Sequence, residues 1–332
     1  AQVAVLAQAS SSSMAPLRHI RAISLDVTGT LIRHLDPIAE TYSQALAWSR
    51  FPRQLSPEEL KTPFKTAYKK TLIEYPCFGT KAGLSSRQWW IKCVKACLSE
   101  AGLKEGKTLD DGSDYTERDF KRWFQRVYQH YGCPAGYVPM KDALPFLNWA
   151  AGEGYLLSVT TNTPCRTMDS VLPFMGLHQY FRNFTCSQDV GAEKPDPKIF
   201  QYSFEEMQKS TRHILDGSVK DDEIREFDPQ TFNHAKIRLV NRYQKVLRCS
   251  NEDLEPDQIL HIGDSFAADL CGPKAAGWQG IHLDRSGDPN VRIYQDWLEG
   301  PAYAGKSEED IRANTVFSLD EVRSKLEKAW AS

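Results

Sequence analysis

SLDVTGTLI, residues 24–32, closes the apolar run HIRAISLDV on a glycine-containing turn, the pattern of a buried strand that ends in a loop. Asp26 stands at that junction. An aspartate held there is ionised at neutral pH and can attack phosphorus, although the same residue type at a strand-to-turn junction also closes an Asx-turn. Two residues on comes Thr28, where a hydrolase would use a second carboxylate.

Working outward, strands and helices alternate from about residue 140: helix MKDALPFLNWAAGEG, strand YLLSVTTN, helix PCRTMDSVLPFMG, strand FTCS, helix PDPKIFQYSFEEMQ, then strand QILHIGD, helix SFAADLCGPKAAG and strand QGIHL. That alternation predicts an α/β fold with a doubly wound, Rossmann-like parallel sheet. Between about residues 39 and 132 the periodicity is helical throughout. One helix opens on Ser56, Pro57 and Glu59 as a capping box and carries Pro63, which should kink or interrupt it; two others end at Gly102 and Gly132. This block reads as an insertion after the first strand. A second long connection, 208–255, is charged and of mixed sign, and its part 229–248 has the pattern of an amphipathic helix.

The 332 residues are enough for a sizeable core. A net charge of -2 gives no general attraction to nucleic acid, and no apolar run reaches the ~20 residues of a membrane-spanning helix. The eight cysteines form no CxxC pair, so reduced thiols are expected rather than a zinc site. Residues 1–21 are rich in Ala and Ser and carry no acid, which fits either a processed transit peptide or a flexible tail, and so a cytoplasmic or a mitochondrial setting.

In an open parallel sheet, ligands sit beyond the carboxyl ends of the strands. Four segments bring reactive residues there: Asp26; Thr161 and Asn162; Lys194; and Asp264 with Asp269. Asp26 would be the nucleophile toward a phosphoryl group, and Lys194, the Thr161 hydroxyl and free amides of the turn after Asp26 would meet its charge. Magnesium prefers oxygen ligands, so Asp26, the main-chain carbonyl of Thr28 and Asp264 would suffice, with Asp269 ligating or orienting them. Each residue also has a plainer reading. Thr161 and Asn162 would cap the next helix, Lys194 would be a solvated loop charge, and Asp264 would be an N-cap. In the helical block, adjacent Trp89 and Trp90 point in different directions, so at most one would face the cleft, while Lys81 and Arg87 read as surface charges.

Taken together and in this order, DVTGT, VTTN, KPDP and GDSFAAD resemble the four motifs of the haloacid dehalogenase (HAD) superfamily. The resemblance implies a HAD core at 22–33 plus 141–332, a C1-type cap at 34–140 that closes over the site and selects the substrate, and Mg2+ as cofactor. More narrowly, YPCFG and GLSSRQWW resemble the HAD-like hydrolase domain-containing protein 3 (rhythmically expressed gene 2-like) branch. The expectation is a hydrolase of a small phosphorylated substrate working through an aspartyl-phosphate. It should be slow, because Thr28 replaces the residue that protonates the leaving oxygen, a loss of roughly 10²–10⁴ in rate. Two alternatives stand beside it. One is an inactive HAD-fold subunit of a larger assembly, with 208–255 as a surface for protein partners; the weaker one is a haloacid dehalogenase.

Overall fold

The computed structural model describes residues 17–218, 223–228, 233–239, 243, 245–246, 253–286 and 308–331. Its centre is a six-stranded sheet in the order Thr315–Val316, Gln279–Leu283, Ile259–Gly263, Ala22–Leu25, Leu156–Thr161, Asn183–Cys186, all parallel. Ala22–Leu25, Leu156–Thr161 and Ile259–Gly263 are buried at every position, which is why they read as near-continuous apolar runs rather than alternating ones. From Ala22–Leu25 the chain pairs first with Leu156–Thr161 on one side and only later with Ile259–Gly263 on the other. The strand order therefore reverses at the carboxyl end of the first strand, where Asp26 follows, and Leu25 is in register with both Val159 and Ile262.

Packed on this sheet are Phe146 and Leu147 from the helix Ala143–Gly152, and Leu319, Val322 and Leu326 from the C-terminal helix Leu319–Ala331. The strand Thr315–Val316 and that last helix were not anticipated: two strand residues are too few to show a period.

The inserted block carries helices Ile38–Trp48, Pro57–Glu74, Ser86–Glu100 and Glu117–His130 around a core of its own that includes Tyr42, Phe120 and Trp123. It is not wholly helical, since Glu105–Gly106 and Tyr115–Thr116 form a short parallel pair. Ser56 caps its helix with the expected reciprocal bonds to Glu59, and the helix continues through Pro63 to Glu74. The absent proline amide removes one ladder bond, and burial of Leu60, Ala67 and Thr71 holds the helix on both sides of the gap. The block joins the sheet through the antiparallel pair Ile32–His34 and Tyr137–Pro139.

The long connection also differs from expectation. The helix from Pro197 runs on to Leu215, and the segment read as an amphipathic helix instead contributes a strand, Asn233–Leu239, antiparallel to Glu223–Asp228. In NHAKIRL, Ala235, Ile237 and Leu239 alternate with polar residues, a period of two that a helical window over the longer stretch hides. The N-terminal tail up to residue 16 lies outside the described residues, as does much of the connection around the hairpin.

Candidate active site

Asp26 follows the fully buried strand Ala22–Leu25 and donates its amide to the Ile262 carbonyl at 2.9 Å, which ties the start of the turn to the neighbouring strand. The turn then closes on itself. The amides of Thr30, Leu31 and Ile32 all donate to the Val27 carbonyl, and that of Gly29 donates to Ile32. Four amides expected to be free for an anion are thereby used, leaving those of Val27 and Thr28 as the turn amides these bonds do not consume. Gly29 is required here on two counts. Its φ is +93°, and a Cβ would lie 2.1 Å from Asp264 Oδ2.

Four chain segments meet at Asp26. The Thr161 hydroxyl donates to its Oδ1 at 2.8 Å and accepts from the Thr163 amide at 3.2 Å. Lys194 Nζ donates to the same Oδ1 at 2.8 Å, to Asp269 Oδ1 at 2.6 Å and to the Thr160 carbonyl at 2.8 Å. Asp26 Oδ2 is engaged by neither donor. Carboxylate oxygens of Asp26, Asp264 and Asp269 lie within 4.8 Å of one another. Thr28 and Asn162 line the same pocket. Asn162 spends its side-chain amide on the main chain of Lys194, accepting from its amide at 2.7 Å and donating to its carbonyl at 3.0 Å. The N-cap role considered for Asp264 falls instead to Ser265, whose hydroxyl accepts from the Ala268 amide. The helices after Thr161 and after Asp264 each carry a π-helical turn near their start, Thr167–Val171 and Phe266–Cys271. In each case Pro173 or Pro273 then withholds the amide that an α-helical ladder would return.

The electrostatics follow from three carboxylates sharing one lysine. Burial alone would lower the Lys194 pKa, but Asp26 and Asp269 outweigh it and hold the ammonium above its ordinary range. For Asp269 burial pushes upward, yet the Lys194 charge and the His261 hydrogen bond prevail and keep it below the usual carboxylate range. Asp26 is raised, by burial first, with Lys194 opposing. Asp264 is pushed up to about 7 by burial and then by Asp26 and Asp269. Its side chain nonetheless keeps solvent-accessible surface, because it faces the pocket rather than the core. An all-oxygen donor set with more negative charge than Lys194 neutralises fits a hard divalent cation such as Mg2+.

Several participants carried no motif. His261, wholly buried in the strand Ile259–Gly263, places Nε2 2.9 Å from Asp269 Oδ1 and Nδ1 2.9 Å from Ser24 Oγ. Ser24 then bonds Thr160, which bonds Ser203, forming a polar chain beneath the site. Arg285 grips Asp142 with two bonds and the carbonyls of Gly29 and Thr30 with two more, fastening the turn from outside. The signal available for His261 and Ser24 was a polar residue inside a buried strand, which must find a partner. In the helical block Trp89 is buried and bonds the Tyr75 carbonyl, whereas Trp90 lines the pocket. Lys81 and Arg87 are exposed, and beside Lys194 the cation that lines the pocket is Arg166.

A parallel sheet reversing at a strand-end aspartate, with a lysine and two further acids around it, defines a Rossmann-like architecture with an acidic site at its switch point. Residues 20–215, more than half of the chain, match the haloacid dehalogenase-like hydrolase family, and the chain belongs to that family. It is 25% identical over 281 residues to human haloacid dehalogenase-like hydrolase domain-containing protein 3, across 84% of this chain and 88% of the relative. It is 26% identical over 271 residues to the rhythmically expressed gene 2 protein of Drosophila melanogaster, across 80% and 83%. Among solved structures, the HAD-hydrolase YfnB of Bacillus subtilis, bound to magnesium, aligns with TM-score 0.54 at 16% identity over 93% of this chain and 99% of that one, a likeness of fold. No helix of the described residues is long and apolar enough to cross a membrane.

Proposed function

We propose that the protein hydrolyses a small phosphate monoester through Asp26, slowly, with the block 34–140 acting as a cap over the site. The observation that carries this reading is the meeting of Asp26, Lys194, Asp264 and Asp269 in one pocket, with the Thr161 hydroxyl bonded to Asp26, so that four chain segments converge there. Asp26 Oδ2 attacks phosphorus, the phosphorus–oxygen ester bond breaks, and the electron pair leaves with the alcohol oxygen, which must then gain a proton. Lys194 and the Thr161 hydroxyl orient Asp26 through Oδ1 and place positive charge beside the transferring group. Asn162 positions Lys194 through its main chain. Mg2+, held by Asp26, Asp264 and the carbonyl of Thr28 with Asp269 behind them, would neutralise charge on the phosphoryl oxygens. Water then attacks the phosphorus of the aspartyl-phosphate and releases Asp26.

Position 28 offers neither proton transfer a carrier, because Thr28 stands there beside Asp26 and a hydroxyl is neither acid nor base near neutrality. The test is a panel of phosphate monoesters, including p-nitrophenyl phosphate, on wild type, Asp26→Asn and Thr28→Asp, with and without Mg2+. Slow Mg2+-dependent turnover that Asp26→Asn abolishes and Thr28→Asp raises by about 10²-fold or more is expected. Absence of Asp26-dependent turnover in both wild type and Thr28→Asp would refute the reading and favour a non-catalytic role for the fold.

A further inference from the structure

The pocket above Asp26 has a volume of about 480 Å3, within the range of small-molecule sites. Its walls away from the carboxylates are built largely of rings, among them Tyr42, Phe64, Tyr68, Phe78, Trp90 and Tyr128. Outside the cluster of Asp26, Lys194, Asp264 and Asp269, Arg166 is the only charged residue lining it among the described residues, and its guanidinium lies 3.7 Å from the Tyr128 ring centroid. His34 also faces this space. Burial and the neighbouring His130 lower its pKa, so the ring is neutral, and its Nδ1 is buried without a hydrogen-bond partner among the described residues.

This wall is held in place before any ligand arrives. Trp90 packs edge-on against Trp89 at 4.9 Å, and Phe78 packs against Trp89 at 5.0 Å. The backbone that delivers Phe78 is in the left-handed region, with φ of 52° at Cys77 and 53° at Phe78, a conformation costly for residues with a Cβ. Contacts to the sheet side maintain it: the Cys77 amide donates to Glu193 beside Lys194 at 2.8 Å, and the Thr80 hydroxyl donates to the Gln188 carbonyl at 2.7 Å. One strained turn therefore couples a ring on the wall to the segment that carries the site lysine.

We propose that the substrate is a phosphate monoester of an aromatic alcohol, its planar ring seated against Tyr68, Phe78, Trp90 and Tyr128 while its phosphate rests on Asp26 and Lys194. The inference rests on the hydrolase reading above and names the substrate class for that site. Ring faces gain from aromatic contact and apolar burial. A sugar phosphate would instead bury several hydroxyls against ring faces that cannot pair them. His34 Nδ1 and the Tyr131 hydroxyl, which lines the same pocket, supply two polar points, enough for one or two ring substituents rather than the several hydroxyls of a sugar.

The experiment separates binding from turnover. Titration calorimetry on Asp26→Asn with Mg2+ compares 2-naphthylmethyl phosphate with glycerol 3-phosphate, glucose 6-phosphate, adenosine 5′-monophosphate and inorganic phosphate. Wild type and Thr28→Asp are assayed for hydrolysis of the four esters, all of which release a primary alcohol. The naphthylmethyl ester is expected to bind at least about tenfold more tightly than the glycerol and glucose esters, a difference of about 1.4 kcal/mol. That advantage is expected to fall about tenfold in Trp90→Leu and in Tyr68→Leu, two independent variants each checked for native circular dichroism. Equal or tighter binding of the sugar esters overturns the proposal, and tighter binding of the nucleotide overturns it in favour of a base-recognising pocket. If the aromatic preference holds while neither wild type nor Thr28→Asp turns over any ester, the hydrolase reading falls and the aromatic pocket stands. If turnover occurs with the sugar esters preferred, the reverse holds.

Discussion

Replacing Lys194 with methionine removes the one cation among three carboxylates while keeping most of the side-chain volume. Lys194 is buried, with its side chain 2% accessible, and Nζ bonds Asp26, Asp269 and the Thr160 carbonyl. Breaking a buried ion pair by removing one partner costs about 3–5 kcal/mol. Two carboxylates lose the same partner here, but the two costs do not add, because a stranded carboxyl can take up a proton. From an ordinary pKa near 3.9, protonation at pH 7 costs about 4 kcal/mol, which caps the penalty per group. Asp26, already raised by burial, is the group that takes the proton. The expected loss of stability at pH 7 is therefore about 3–5 kcal/mol, set by one carboxyl rather than two.

The pH dependence has a definite sign. In the variant the folded state holds a proton on Asp26 that the unfolded chain, ionised above about pH 4, does not. More protons are bound in the folded state, so stability relative to wild type falls as pH rises, by up to about 1.4 kcal/mol per unit. The deficit should shrink to about 1–2 kcal/mol at pH 5. Equilibrium unfolding in guanidinium with a metal chelator present, on both proteins across pH 5–7, measures it. A deficit under about 1 kcal/mol at pH 7, or one that does not change with pH, would show that Lys194 does not hold the carboxylates as argued.

Gly29→Ala should lower Mg2+ affinity at least about tenfold and cost about 1–3 kcal/mol of stability, since it places a Cβ against Asp264 and demands φ of +93°. Calorimetric Mg2+ titration and unfolding would both have to match wild type to sink that account of the turn. Burial pushes the thiols of Cys93 and Cys97 up to about 12, so at pH 8 only about one part in 10⁴ is thiolate. Iodoacetamide should leave both unmodified in the native protein and label them in denaturant, as read by peptide mass spectrometry. Native labelling at the denatured rate would contradict their placement in the core.

What could be read in advance follows from where information sits in the chain. Strands buried on both faces leave short runs without polar alternation, such as LLSVTT and ILHIG, and residues that project into a site follow at the ends of those runs, so sheet and site emerged together. The edge strand Thr315–Val316 is too short to show a period, and the hairpin at 223–239 lay within a window whose charge pattern also suited a helix. His261 and Arg285 were missed for a different reason. His261 stood out only as a polar residue inside a buried strand, which does not say which carboxylate it meets, and Arg285 has its partner 143 residues away with nothing local to mark it.

Thr28 is where sequence and geometry combine to sharpen the chemistry. The turn that follows Asp26 spends four amides internally and is pinned from outside by Arg285, so its backbone has little freedom to rearrange around a new side chain. Thr28 nevertheless faces the same pocket as Asp26, which means that a carboxylate at this position enters the site without remodelling the turn. A rate gain in Thr28→Asp measured at saturating Mg2+ would thus report on proton transfer rather than on a remodelled turn. Asp26, Lys194 and the acidic cluster stand as they are whether or not a carboxylate is present at position 28.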